Sequence, residues 1–223
     1  MSLFTDFLLD IVGGVALSQQ DEARCAAIMS RVRGYSDGKH YAFFKALLAR
    51  PEVKDVLILG VYHGRDIAFM RDCLLSAGRI DVWIVGVDKF SDTPCADWPA
   101  GSIGKSWQDA GFGPPPDIEQ ARRNCGAETS GPVLLSESDD ERFLAHTEGK
   151  FDAVYLDTSH DFATVNRQLK QVRRVCKPSA IICGDDYSDR GTWGVKRAVT
   201  ASFNQHTVFA GWIWASGNEL LKS

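Results

Sequence analysis

The chain has 223 residues, which suits a single domain with one hydrophobic core. Hydrophobic residues make up 44% and charged residues 24%, as in a globular protein in water, and the net charge of −4 argues against a nucleic-acid partner. No apolar run approaches a membrane span, and the six cysteines form no CxxC pair or Cys-His cluster, so we expect a cytoplasmic protein without disulfides, zinc or a membrane partner.

Residues 1–38 are predicted to form a helical N-terminal extension. Helices are expected at residues 4–12 and about 21–33, and the first 14 residues lack the basic leader of a signal peptide. Another helix is expected from about Tyr41 to Ala49. Residues 39–223 are predicted to form one Rossmann-like domain. The apolar helices of the extension could pack across a homodimer.

From Asp55 onwards, predicted strands alternate with predicted helices. Strands are expected at 55–59, 82–88, 132–136 and 151–157, and a fifth ends at Asp185. Helices are expected at about 67–78, 117–124, 139–146, 162–175 and 191–203, with a hairpin at 206–216. The pattern predicts an α/β fold with a doubly wound, mostly parallel seven-stranded sheet, an antiparallel C-terminal edge hairpin and N-terminal helices.

One long segment, 89–116, has no periodicity. It is either a functional loop that covers a site or an insertion without regular structure. Its Trp98 and Trp107, like Trp193 further along, could stack on a ring-shaped substrate or simply pack against the protein.

Three aspartates follow two predicted neighbouring strands. Asp157 ends one strand, and Asp185 and Asp186 end the next. The carboxyl ends of parallel strands lie side by side, so these carboxylates should meet at the edge where α/β sheets bind ligands. Like charges this close repel one another unless a cation lies between them, and oxygen ligands suit Mg²⁺ or another divalent ion. The alternative for Asp185 and Asp186 is a solvated turn in which they cap a helix.

The turn after the first strand has glycines at positions 60 and 64. A ligand anion could meet the helix N-terminus there. The turn is not GxGxxG, because Tyr62 occupies the position where a pyrophosphate would approach the backbone, and it lacks the Lys-Ser/Thr of a P-loop. A ligand with a carboxylate suits it better, and Asp88 at the end of the second strand could accept both hydroxyls of a ribose.

These segments together resemble a known family. The stretches DVLILGVYHGRD, VGVDKF, YLDTSHDF and ICGDDYSDRGTWGVKRAV are similar to those of class I S-adenosylmethionine (SAM)-dependent methyltransferases. The resemblance is greatest to the metal-dependent small-molecule O-methyltransferases of the catechol, caffeoyl-CoA and antibiotic-sugar types. It covers Asp55 to Phe203.

The resemblance implies a role for several residues. Those implied to bind the cofactor are Gly60, Tyr62, Gly64, Asp88, Ser138, Asp139 and Thr158, with Asp88 on the ribose and Ser138 and Asp139 at the adenine. Asp157, Asp185 and Asp186 match the metal triad, and His160 stands where relatives place a general base. The chain differs from the family at Ile58, where an acidic residue is usual. It also has Lys177-Pro178-Ser179 in place of the usual Pro-Gly-Gly before the fifth strand, where we expect a variant of the same turn.

The predicted activity is SAM-dependent O-methylation of a small hydroxylated molecule, such as a sugar, a phenol or a natural product. Mg²⁺ on the three aspartates would lower the pKa of the hydroxyl, and His160, with an ordinary pKa near about 6.5, could take its proton. His160 could equally well only support its neighbours, and Asp161 is expected to cap the next helix.

Three other functions stay open. One is a methyltransferase that needs no metal. Another is a non-catalytic protein that binds SAM or S-adenosylhomocysteine (SAH), for which Ile58 is the reason. A nicotinamide-dependent dehydrogenase is least favoured, because Tyr62 blocks the approach of a pyrophosphate.

Overall fold

The computed structural model describes residue 7 and residues 15–90, 105–127 and 132–222. The predicted helix at 4–12, apart from residue 7, and Trp98 lie outside the described residues. Within these ranges, every helix is too short or too polar to cross a membrane.

Two helices precede the sheet, and each begins at a capping residue. Helix α1 spans Gln19–Arg31 and begins after Ser18, whose hydroxyl accepts a hydrogen bond from the Asp21 N–H while the Asp21 carboxylate accepts from the Ser18 N–H. Helix α2 spans Gly38–Leu48 and begins after Asp37. Both start two or three residues earlier than predicted, because the caps and not the first apolar residues determine where a helix begins.

Strands and helices then alternate as predicted. The elements are β1 (Asp55–Leu59), α3 (Arg65–Ser76), β2 (Trp83–Asp88), α4 (Ile118–Cys125), β3 (Val133–Glu137), α5 (Asp140–His146), β4 (Phe151–Leu156), α6 (Phe162–Val175), β5 (Cys176–Gly184), α7 (Val195–Ser202), β6 (Thr207–Phe209) and β7 (Ile213–Gly217). A short 3₁₀ helix, Asn218–Leu220, follows. The strands form one seven-stranded sheet in the order β3-β2-β1-β4-β5-β7-β6. Strands β1 to β5 are parallel and β7 is antiparallel to both β5 and β6, which confirms the predicted fold class.

The terminal hairpin turns at two residues with left-handed backbone. Ala210 has φ 53° and Gly211 has φ 85°, and the Trp212 N–H donates to the Phe209 carbonyl at 3.2 Å. Two successive positive φ angles are typical of the turn whose twist suits a two-residue hairpin.

Two predicted details are wrong. Helix α7 begins at Val195 and not at Gly191, because Gly191 adopts a left-handed φ of 60° and the Gly194 N–H bonds to the His160 carbonyl at 2.7 Å. Lys177-Pro178-Ser179 lies inside β5 and not in a turn before it, where the register against β4 shifts between Phe151 and Ala153.

Alternate residues of the strands point to opposite faces of the sheet and pack into two apolar clusters, one on each face. One cluster joins the sheet to α1, α2 and α3, and includes Ile28, Phe44, Ile58 and Tyr155. The other joins it to α6 and α7. Two apolar helix residues lie outside both clusters and are exposed: Leu75 at 62%, and Phe162, the first residue of α6, at 37%. Since helices cover both faces, a ligand reaches the sheet at the carboxyl ends of its strands.

Candidate functional site

A cavity of about 800 Å³ lies at the carboxyl edge of the sheet. This volume is within the range of small-molecule sites. Residues from the turns after β1 to β5 line it, together with segment 33–40 and Trp107. The cavity is therefore at the position predicted from the strand ends.

The turn after β1 lies directly against the end of β4. Gly60 has φ 90°, and a Cβ atom there would stand 1.7 Å from the Asp157 carbonyl oxygen, so only glycine fits. Tyr62 also has a left-handed backbone, with φ 51°, and its hydroxyl donates to the Phe112 carbonyl at 2.9 Å. Gly60 and Tyr62 line the cavity. Gly64 instead precedes α3 and packs against Ala121, 3.2 Å from where its Cβ would be.

Asp88 ties the ends of β1 and β2 together. One carboxylate oxygen accepts the N–H groups of Val61 at 2.8 Å and Tyr62 at 2.7 Å, and the other accepts the Phe90 N–H at 3.0 Å. Asp88 also lines the cavity. A carboxylate has about four lone-pair positions, so one remains for a ligand hydroxyl.

The predicted cofactor contacts Ser138, Asp139 and Thr158 divide between two places. Ser138 and Thr158 line the cavity, and the Thr158 hydroxyl donates to the Gln168 amide oxygen at 2.9 Å. Asp139 caps α5 and forms an ion pair with Lys89 at 3.0 Å, and the next residue, Asp140, lines the cavity in its place. Burial, followed by the charge of Asp139, raises the pKa of Asp140. The sequence analysis did not identify Asp140. Its position directly after Asp139, a predicted cofactor contact, could have indicated it.

Two of the three aspartates predicted to bind metal meet His160. Ligand atoms of Asp157, His160 and Asp186 all lie within 4.8 Å of one another, a group that could hold a metal ion. The His160 Nε2 atom is 2.8 Å from an Asp186 oxygen, and the Trp193 ring stacks on the imidazole at 4.6 Å with an interplanar angle of 20°. Asp186 has φ 57°, a left-handed conformation often found at functional sites.

The third aspartate, Asp185, pairs with a residue that sequence reasoning missed. Its Oδ2 atom is 2.8 Å from His40 Nε2, across 145 residues of sequence. Its Oδ1 atom is buried and lacks a hydrogen-bond partner among the described residues. Nothing in the sequence signalled His40, because it lies on a helix before the sheet.

The charge at this end of the cavity is mainly negative. Burial, and then the charges of Asp185, Asp186 and Asp66, raise the pKa of Asp157 well above its usual value. Burial lowers the pKa of His40, but the hydrogen bond and charge of Asp185, with smaller effects of Asp66 and Asp37, outweigh it and raise the pKa to about 10. Carboxylates that repel one another around an unpartnered buried oxygen suit a divalent cation, so the residues present fit the implied metal.

An aromatic group covers the turn after β1. The Trp107 and Tyr62 rings are 5.1 Å apart, and the Tyr35 and Tyr62 rings stack at 6.1 Å. The Arg33 guanidinium and the Tyr62 hydroxyl both donate to the Phe112 carbonyl at 2.9 Å. Trp107 and Phe112 of the predicted loop thus contact the turn, and Trp107 both lines the cavity and packs against the protein.

Comparisons with known proteins agree with this geometry. The family described as a methyltransferase domain matches residues 57–187, more than half of the chain. No curated protein matches the sequence. The O-methyltransferase NovP is 16% identical, with a TM-score of 0.61, over 80% of this chain and 79% of that chain.

Two further solved structures are similar over nearly the whole chain. The O-methyltransferase from Bacillus cereus in complex with SAH is 13% identical, with a TM-score of 0.54, over 98% of this chain and 98% of that chain. CalS11, a TDP-rhamnose 3′-O-methyltransferase of calicheamicin biosynthesis, is 13% identical, with a TM-score of 0.55, over 94% of this chain and 91% of that chain. At these identities the likeness shows the fold. The family match covers more than half of the chain, and the strand order and the cavity described above agree with it. The chain therefore belongs to the class I SAM-dependent methyltransferases.

Proposed function

We propose that the enzyme transfers the methyl group of SAM to a hydroxyl oxygen of a small molecule, a sugar, a phenol or another natural product, with the help of a divalent cation. The observation that carries the proposal is the meeting of Asp157, His160 and Asp186 inside the cavity. The similar structures include enzymes named as O-methyltransferases, one of them for TDP-rhamnose, which supports this class of acceptor.

In this proposal the cofactor lies across the carboxyl ends of the strands. Asp88 accepts one ribose hydroxyl at its remaining lone-pair position, and Ser138, Asp140 and Thr158 face the adenine. When bound, SAM supplies a methyl group on a positively charged sulfur. The turn with Gly60 and Tyr62 holds the middle of the cofactor, because these two residues line the cavity and follow β1, which lies between β2 and β4 in the sheet. Asp139 and Gly64, which do not line it, support the site through the α5 cap and the packing of α4.

His160 takes up the proton of the acceptor hydroxyl at a ring nitrogen. Its ring is oriented by Asp186 at Nε2 and by the stacked Trp193, and His160 lines the cavity in which the acceptor would lie. The deprotonated oxygen would then accept the methyl group that SAM supplies, with SAH as the other product.

Asp157 and Asp186 would hold the divalent cation, together with Asp185, whose Oδ1 atom lacks a partner among the described residues. When bound, the cation would balance the carboxylate charge and lower the pKa of a nearby hydroxyl. A second candidate is transfer without metal, favoured by the existing 2.8 Å pair of His160 and Asp186, which already orients the base.

Labelled SAM tests both candidates. The protein is incubated with a panel of vicinal diols, phenols and nucleotide sugars, with EDTA and then with added Mg²⁺ or Mn²⁺. We expect label on a hydroxyl oxygen, loss of transfer in EDTA and recovery with the metal. Full transfer in EDTA would support the metal-free candidate, and label only on nitrogen acceptors would contradict O-methylation.

A further inference from the structure

An exposed tryptophan forms part of the cavity wall on the side away from the proposed cofactor positions. Trp212 is 41% exposed and lines the cavity. It is the residue before β7, which pairs antiparallel to β5, so the chain enters β7 at the carboxyl end of β5. Asp185 and Asp186 leave β5 at that same end. The wall next to these two aspartates is therefore aromatic.

Hydrogen bonds fix the backbone of Trp212 to two neighbouring segments. Its carbonyl accepts the Tyr187 N–H at 2.9 Å, and its own N–H donates to the Phe209 carbonyl at 3.2 Å. A residue that is already held in place loses little conformational freedom when a ligand packs on it. Trp212 is thus a preorganised surface for a flat ligand group.

Trp107 and Trp193, which also line the cavity, already pack on other rings of the protein. His160 stacks on Trp193 at 4.6 Å, and the Trp107 ring is 5.1 Å from that of Tyr62. Among the described residues no aromatic ring packs on Trp212 in this way, and the group next to its ring is a guanidinium. Trp212 therefore has ring surface for a ligand.

Arg190 gives this wall a positive charge. Its guanidinium carbon is 6.0 Å from the centre of the Trp212 ring, within the range of a cation–π contact. Arg190 is exposed and forms no ion pair with the described residues, since the adjacent Asp189 pairs with Arg197 at 3.6 Å. One guanidinium balances one negative charge, and its planar set of N–H donors matches a carboxylate.

The strand order leaves this wall to the acceptor. In the proposed function the cofactor lies over the ends of β3, β2 and β1, and His160, which takes the proton, follows β4. Strands β5 and β7 come next in the sheet, with Asp186 and Trp212 at this edge. An acceptor whose hydroxyl lies at His160 therefore extends towards Trp212.

We propose that Trp212 stacks on the ring of the acceptor and that Arg190 binds a carboxylate on that ring. The acceptor is thus a hydroxylated ring acid whose carboxylate lies at the end opposite the reacting hydroxyl. The aspartates around Asp157 repel the carboxylate and Arg190 attracts it, so these charges determine which end of the acceptor faces His160. The proposal rests on the proposed function for the positions of the cofactor and of the reacting hydroxyl.

Titration calorimetry of the full chain with SAH and Mg²⁺ tests the role of Arg190 without turnover. The probes are protocatechuate, a dihydroxylated benzoate, and its uncharged amide. We expect the wild type to bind the acid about 10-fold more tightly than the amide, as for a charged hydrogen bond, and Arg190→Gln to bind the two equally. Arg197→Gln is the matched control, because Arg197 pairs with Asp189 and lies over Phe162 instead.

The role of Trp212 is tested with the same two probes. Trp212→Leu should bind both about 10-fold more weakly, the usual effect of losing a stacking contact, while the Kd for SAH stays the same. Trp212→Phe keeps a ring and should recover most of the binding. Trp83→Leu is the control, because Trp83 is also exposed, at 51%, but begins β2 at the opposite edge of the sheet. With labelled SAM and protocatechuate, Trp212→Leu should raise KM and leave kcat similar.

Two results would overturn the proposal and leave the proposed function intact. One is methyl transfer with unchanged binding of both probes by Trp212→Leu, or with an unchanged preference of Arg190→Gln for the acid. The other is a wild type that methylates uncharged diols but binds neither probe. If the wild type bound neither probe and methylated no diol, phenol or nucleotide sugar, the proposed function would be wrong as well.

Discussion

His160 is the side chain on which proton transfer depends in the proposed reaction. Asp186 holds its Nε2 atom at 2.8 Å and Trp193 stacks on its face, so both the direction and the plane of the ring are determined. The backbone of Asp186 is left-handed and directs its carboxylate towards the ring. This conformation costs free energy, and residues that adopt it cluster at functional sites.

Replacing this residue tests that role. For His160→Gln we expect kcat to fall about 10²- to 10⁴-fold, the usual contribution of a general base, while the Kd for SAH stays the same. The measurement is steady-state transfer from labelled SAM, with calorimetry for SAH. His146→Gln is the control, because His146 is exposed at the end of α5. A kcat within threefold of the wild type would show that His160 only supports its neighbours.

Helix α1 shows how a local cap and a distant ion pair combine. Asp21 accepts the Ser18 N–H at 3.0 Å, and its carboxylate pairs with Lys45 of α2 and with Arg24 at 2.6 Å. Burial raises the pKa of Asp21, but the hydrogen bonds of Lys45 and Ser18 outweigh it and lower the pKa to about 2. The ionised carboxylate therefore stabilises the fold above its unfolded pKa of 3.8, and this contribution is lost as the pH falls towards 2.

Asp21→Asn should lower the free energy of unfolding at pH 7 by about 1–2 kcal/mol, from the weakened cap and the lost ion pairs. The difference from the wild type should shrink as the pH is lowered from 4 to 2. Urea unfolding across this pH range measures both effects. Glu22→Gln, in the same helical turn but exposed, is the control. A difference that does not change with pH would contradict the ion-pair explanation.

The two ends of the sheet have different roles. The carboxyl ends of the strands carry the cavity, and the amino ends carry a network of hydrogen bonds and ion pairs. There one Asp152 oxygen accepts the N–H groups of Lys54 and Asp55, each at 3.0 Å. Lys177 donates to both Asp152, at 2.9 Å, and Asp55, at 2.8 Å. The network joins β1, β4 and β5 on the side away from the ligand.

Lys177→Met should therefore reduce stability without changing ligand binding. We expect the free energy of unfolding to fall by about 1–2 kcal/mol, which lies between the contributions of exposed and of buried ion pairs. The Kd for SAH should not change. Thermal unfolding and calorimetry provide the two readouts. Lys170→Met, on the exposed side of α6, is the control. Weaker SAH binding by Lys177→Met would mean that the two ends of the sheet are coupled.

Much of this architecture was predictable because its signals are local. Continuous apolar runs marked the buried strands, and Asp161 was recognised as the cap of α6, where its carboxylate accepts the Thr164 N–H at 3.0 Å. Aspartates directly after strands had to lie at the carboxyl edge, since the chain leaves a parallel strand only there. The position of the cavity and Asp88, Asp157 and Asp186 in it follow from that rule.

The remaining contacts depend on how helices pack over the sheet, which no local pattern encodes. His40 reaches Asp185 because α2 brings it to the carboxyl ends of the strands. Trp193 stacks on His160 only because the chain between β5 and α7 folds back onto the loop after β4. Helix caps depend on residues close in the sequence, and strand order depends on pairwise contacts between strands. A binding site needs side chains that are distant in the sequence, and only the folded molecule brings these together.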